Sequence, residues 1–215
     1  MSQTVTNPNP NAPMDAPLDA LDFFRNSAGT WRSQRVTHHL AFRRAEVGES
    51  TIRVEMLDNS DPRIAEICAM HAIDPAQAAG GAHIAWKGLM EWDKADENHE
   101  GQSVMVIVPD PDTPGSGQLL RERGYAETAP VAGRYHIDND NGMVLTTEYE
   151  TMSSTERFWF PSGNLRMRTS TLQRFGGYNT ATFCTEVRVN DDGQLPQTDA
   201  ESAIAPAPVY SALGW

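Results

Sequence analysis

A chain of 215 residues is long enough for one well-buried domain, and a single β-barrel can use that much sequence without splitting in two. With 17 basic against 29 acidic residues the formal net charge is −12, which argues against nucleic acid as a partner, because phosphate-backbone binding needs a clustered basic excess. Two cysteines, Cys68 and Cys184, cannot form a disulfide framework, and no apolar N-terminal stretch or long apolar run suggests secretion or a membrane span; a reduced, cytoplasmic protein is expected.

In chain order, residues 1–17 are rich in Asn, Pro and Ser/Thr with little to bury and read as a disordered tail, as does the acidic, Pro/Ala-rich stretch 191–215. The folded part is expected over 18–190. It opens with a short helix, "PLDALDFFRNSAG", in which Leu18, Leu21, Phe23 and Phe24 recur at helical spacing and Gly29 ends the run. A second short helix is predicted near 61–72, with Ser60 or Asp61 as cap, Pro62 in the first turn and Ile64, Ile67, Cys68 and His71 along a partly apolar stripe. Strands are predicted at 30–40, 48–57, 82–93, 103–108, 117–125, 131–138, 142–150, 153–160, 164–174 and 179–190. Asn141-Gly142 marks a hairpin. Ten such runs with short connections predict an antiparallel meander, and closing it into a barrel removes the exposed edges.

Strand side chains alternate between faces, so each run can be split in two. In "GTWRSQRVTHH", Trp31, Ser33, Arg35, Thr37 and His39 share one face, opposite Arg32 and His38. In "HIAWKGLMEWD", Ile84, Trp86, Gly88, Met90 and Trp92 form the natural interior, with Gly88 leaving room between two tryptophans. Glu156 shares a face with Ser154, Phe158 and Phe160, and Arg166 with Arg168, Ser170 and Leu172. By pattern alone the arginine face fits a solvated outer wall as well as an inner one. If inward, tryptophans, arginines and one carboxylate make a pocket for a flat, conjugated, acidic ligand: aromatic stacking area, planar forks for carboxylates, and a partner for a cationic nitrogen system. A lumen for fatty acids would be mainly aliphatic. The six histidines show no metal spacing, and adjacent His38 and His39 point to opposite faces, so no metal site is expected.

The segments "DFFRNSAGTWRSQRVTHHLAFRRAE", "MEWDKADENHEG", "LLRERGYAE", "TEYETMSSTERFWF", "NLRMRTST" and "RFGGYNTATFCTEVR", in that order over about residues 20–190, strongly resemble the S-type phycobiliprotein lyases, the CpcS/CpeS/CpcU family of cyanobacteria and some algae. The resemblance implies an all-β, lipocalin-like, ten-stranded antiparallel barrel, with Trp31 of Gly29-Thr30-Trp31 closing its base. It implies an enzyme that binds a free linear tetrapyrrole, phycocyanobilin or phycoerythrobilin, and attaches it as a thioether to a cysteine of an apo-phycobiliprotein α or β subunit. The bilin is substrate, no prosthetic group or metal is implied, and a homodimer fits the family. A plastid location follows for an algal source.

Carried onto this chain, the resemblance assigns transfer to Glu156 and Arg166, and bilin binding to Arg35, Arg44, Trp86, Trp92, Arg168 and Ser170. Arg35 and Arg166 are expected to hold the propionates, while the acceptor supplies the attacking sulfur and Cys184 stays structural. The loops "DKADENHEG" and "PDPDTPGSG" are candidates for a docking rim. The alternative is a non-catalytic bilin carrier or one partner of a heteromeric lyase.

Overall fold

The computed structural model describes residues 19–91, 99–122, 130–175, 177–190 and 193–194; both predicted tails fall essentially outside them. A short helix α1 (Ala20–Ser27) leads into β1 (Gly29–His39) and β2 (Arg44–Leu57), then α2 (Pro62–Met70) and eight further strands: β3 (Gly80–Met90), β4 (His99–Pro109), β5 (Ser116–Arg121), β6 (Val131–Ile137), β7 (Met143–Glu148), β8 (Met152–Ser162), β9 (Leu165–Arg174) and β10 (Gly177–Val189). Each pairs antiparallel with its sequence neighbour, and β10 closes onto β1, giving the ten-stranded barrel that the strand count predicts. β2 starts four residues earlier than expected. Arg43 adopts the left-handed conformation just before it (φ 51°), which turns the chain tightly enough for Arg44 to pair with His39.

α1 plugs one end of the barrel. Asp19 caps it by accepting the Asp22 N–H at 2.7 Å, and Ala20, Phe23, Phe24 and Ser27 form its buried face. Trp31 is fully buried beneath it and donates its indole N–H to the Ser27 carbonyl at 2.7 Å, while Phe160 packs against both Trp31 and Phe23. Arg188 lies over the Trp31 ring at 4.3 Å and donates to the backbone carbonyls of Asn26, Ala28 and Gly163, tying the helix to the barrel base.

α2 packs outside the wall. Asp61 caps it and Pro62 takes its first position, as the sequence predicts. Ile64, Ile67 and Cys68 bury against the outward side chains Val104, Val106, Val108 and Leu120 of β4 and β5. Among the described residues no helix is long and apolar enough to cross a membrane.

The β6–β7 hairpin confirms the Asn141-Gly142 turn: Asn141 has φ 58°, and Asp138 accepts N–H bonds from Asp140 and Gly142. The "PDPDTPGSG" stretch joins β4 to β5 at the base, beside the β6–β7 turn, because β4 runs from rim to base. It is therefore remote from the rim where docking was expected. Of "DKADENHEG", residues 93–98 lie outside the described residues.

Candidate functional site

Above the aromatic plug the barrel encloses a cavity of about 670 Å³, within the roughly 300–1,000 Å³ usual for small-molecule sites. Its wall combines apolar side chains, among them Ile52, Ile84, Trp86, Leu119 and Phe158, with four arginines and three glutamates: Arg35, Arg121, Arg166, Arg168, Glu122, Glu156 and Glu186. The mixed faces predicted for β1, β3, β8 and β9 thus all point inward. Five predicted site residues, Arg35, Trp86, Glu156, Arg166 and Arg168, line this one space.

The charged side chains form a chain of pairs. Arg166 donates its Nε–H to Glu186, at side-chain exposures of 7 % and 1 %. Arg168 lies 3.8 Å from Glu186 through Nη2 and 3.5 Å from Glu156 through Nη1. Ser33 adds a long contact to Glu186 at 3.5 Å. Burial pulls the Arg166 guanidinium below its ordinary value, and Glu186 draws it back toward the charged form. Arg166 also lies over Trp31 at 4.8 Å, so it belongs to the cavity floor, whereas Arg168 lies over Phe158 at 5.6 Å with its side chain 20% exposed. Arg35 sits higher on β1, its Nε–H 3.2 Å from the Met90 sulfur, and Gly48 keeps the facing position clear for both side chains.

Of the other predicted positions, Ser170 lies on the same face of β9, paired with Glu156 across to β8 and with Thr182 across to β10, one step beyond the cavity lining. Arg44 differs from expectation: as the first residue of β2, opposite His39, it is exposed at the rim and does not line the cavity. Trp92 lies outside the described residues. A Cβ on Gly88 would fall 2.6 Å from the Ser50 Cβ, so this glycine lets β2 and β3 approach closely; its place between two tryptophans involves Trp92, outside the described residues. Gly101 makes room for Trp86, because a Cβ on it would meet the Trp86 ring at 2.6 Å.

Glu186 and Arg121 are cavity residues beyond those the sequence predicts. On β10 the residues Phe183, Thr185 and Val187 alternate with Cys184, Glu186 and Arg188, and apolar content favours the first set for the interior. The structure points the second set inward, where Glu186 meets Arg166. Cys184 is buried beside Arg168, with burial pushing its thiol up and Arg168 opposing the shift. His71 is held by structure, its Nε2 2.9 Å from the Arg121 carbonyl.

A family model described as CpeS-like protein matches residues 19–189. The chain belongs to the CpeS-like chromophore lyase family. It is 58% identical over 199 residues to "Chromophore lyase CpcS/CpeS 2" of Synechocystis sp., covering 92% of this chain and all of that one. It is 55% identical over 202 residues to the "Phycocyanobilin lyase subunit CpcS" of Picosynechococcus sp., covering 94% of this chain and all of that relative. Among solved structures, the S-type phycobiliprotein lyase CPES from Guillardia theta superposes with a TM-score of 0.71 at 31% identity, covering 80% of this chain and 94% of that one. The lyase cavity described above is therefore set in the fold shared with that structure.

Proposed function

We propose that this lyase binds a free linear tetrapyrrole in the barrel and passes it to a cysteine of an apo-phycobiliprotein subunit as a thioether. The observation that carries the reading is the cavity wall: Trp86 and Phe158 offer stacking area, and Glu156 and Arg168 stand 3.5 Å apart beside them. An aliphatic ligand would leave these charges buried without reward, whereas a pigment bearing carboxylates and ring N–H groups answers both signs. Phycocyanobilin is the first pigment to test, given the name of the Picosynechococcus relative.

In this reading Arg35 and Arg168 grip propionate oxygens, and Glu156 accepts hydrogen bonds from the pyrrole nitrogens. Holding the pigment protonated makes the ethylidene on ring A more electrophilic. The acceptor's sulfur then bonds to the ethylidene carbon and the thiol proton is taken up by the pigment, so the addition consumes no oxidant or reductant. Because the nucleophile comes from the acceptor, the lyase contributes conformation and facial selectivity rather than a thiol of its own. Cys184 keeps its packing role.

Mixing the purified protein with phycocyanobilin and an apo-subunit tests the proposal. A fluorescent product whose mass maps to one cysteine supports transfer; reversible binding with no adduct favours the carrier or partner-subunit alternative.

A further inference from the structure

The cavity arginines of β1 and β9 differ in what answers them. Arg166 is matched by Glu186, and Arg168 is shared between Glu156 and Glu186. Arg35, half-buried in the cavity wall, pairs with no carboxylate among the described residues; its Nε–H and an Nη2–H both point at the Met90 sulfur, the first at 3.2 Å. A row across three strands builds this contact, since Arg35 on β1 faces Gly48 on β2 and Gly48 faces Met90 on β3. Any side chain at the middle position would close the gap: a Cβ on Gly48 would fall 2.5 Å from the Met90 Sδ and 3.0 Å from the Arg35 Nε. The missing Cβ therefore lets the guanidinium lie across β2 and reach the thioether.

A thioether is a weak acceptor, so this arrangement holds the guanidinium in place while satisfying it poorly. A ligand carboxylate gains a charge-assisted, forked contact from such an arginine and displaces only the sulfur. At Arg168 the same carboxylate has to compete with two glutamates already in place. A resting partner supplied by the protein subtracts from what the ligand gains, and that subtraction is smaller at Arg35 than at Arg168.

Resting on the bilin reading, we infer that Met90 is a positioning residue whose sulfur parks Arg35 across Gly48 in the unliganded barrel, until one carboxylate of the tetrapyrrole displaces it and takes the guanidinium. Met90 acts through Arg35 and needs no contact with the pigment. The strength of the acceptor at position 90 then sets how sharply the barrel distinguishes a carboxylate from a neutral ester.

The test is absorbance titration of the full-length protein with phycocyanobilin as free acid and as dimethyl ester, which keeps the conjugated system and removes both negative charges. Met90→Glu gives Arg35 a strong resting acceptor and is expected to weaken free-acid binding about tenfold and ester binding by less than about threefold. Met90→Leu removes the acceptor at nearly constant volume and is expected to shift free-acid binding by less than about threefold. In an Arg35→Gln background, Met90→Glu is expected to add less than about threefold to the loss, a non-additivity that packing alone does not produce. Equal losses for acid and ester in Met90→Glu, or a loss that persists undiminished without Arg35, overturn the positioning role, as does a large loss of both pigment forms in Met90→Leu. Should Met90→Glu fail to fold by circular dichroism, Met90→Gln and Gly48→Ala carry the same comparison, since an amide oxygen is a stronger acceptor than a thioether and a Cβ at position 48 displaces both side chains. Wild-type protein that binds neither pigment form overturns the bilin reading itself; wild-type binding with Met90 variants indifferent to esterification overturns only the positioning role.

Discussion

The base and the upper half of the same barrel use the same residue types for opposite ends. At the base, Arg188 is spent on three backbone carbonyls and the Trp31 face, and just above it Arg166 is spent on Glu186. Higher up, Arg168 and Arg35 project into a cavity from positions two residues along from Arg166 and Ser33. An arginine on an inward strand face is thus committed to protein groups or turned into the cavity according to its height above the plug. At the floor the guanidinium charge is answered by Glu186 and by backbone carbonyls, and the cavity opens directly above α1, whose Phe23, Phe24 and Ser27 line it.

Variants can break or sharpen that contrast. The largest effect is expected at the floor: Glu186→Ala leaves Arg166 buried without its partner and should cost about 3–5 kcal/mol in denaturant unfolding. A loss below about 1 kcal/mol would show that the floor pair is not structural. Next is Tyr135, a buried base residue whose phenol burial pushes up to about 12. The folded state keeps that proton where the unfolded chain releases it, so stability contributed below pH 10 is lost as pH rises from 10 to 12. Tyr135→Phe should make that alkaline loss shallower by on the order of 2 kcal/mol across the window, as read by unfolding at several pH values. In the upper half, Glu156→Gln should leave unfolding nearly unchanged and retain much of the bilin affinity. It should slow adduct formation about tenfold, equivalent to roughly 1.4 kcal/mol in the barrier. Full-rate transfer by this variant would remove Glu156 from the chemistry. The smallest effect belongs to Arg44, exposed at the rim: Arg44→Ala should change stability by under about 0.5 kcal/mol and bilin affinity by less than twofold. A larger loss of affinity would restore it to the site.

Much of the fold is legible in local patterns. Asp61-Pro62 starts α2, Asn141-Gly142 turns β6 into β7, and all ten strands overlap the runs that alternation and turn residues mark, with β2 and β4 each starting four residues earlier. Which residues share a face on β1, β3, β8 and β9 also follows from parity, because alternation is a property of the strand itself, whereas the inward direction of the β8 and β9 charged faces is decided by the barrel. On β10 alternation holds but the apolar set Phe183 and Val187 faces outward. That inversion is intelligible only once Glu186 has arginines to meet, and a rule that puts apolar residues inside has no term for a polar lumen. Glycines carry the same lesson: whether a missing Cβ serves a ring, as at Gly101, or a neighbouring strand, as at Gly88, depends on what crosses the strand.

By itself the sequence determined the number and order of strands, the two helices, the family and five residues of the cavity wall. Tertiary structure alone decided which of those residues are committed to one another. Ser33 meets Glu186 across 153 residues of chain, a contact that exists because β10 closes onto β1, and the same closure sets Arg121 facing the Glu186 wall. Side-chain alternation is set within a strand and so is written locally; charge pairing depends on which strands become neighbours, and that is known only when the barrel shuts.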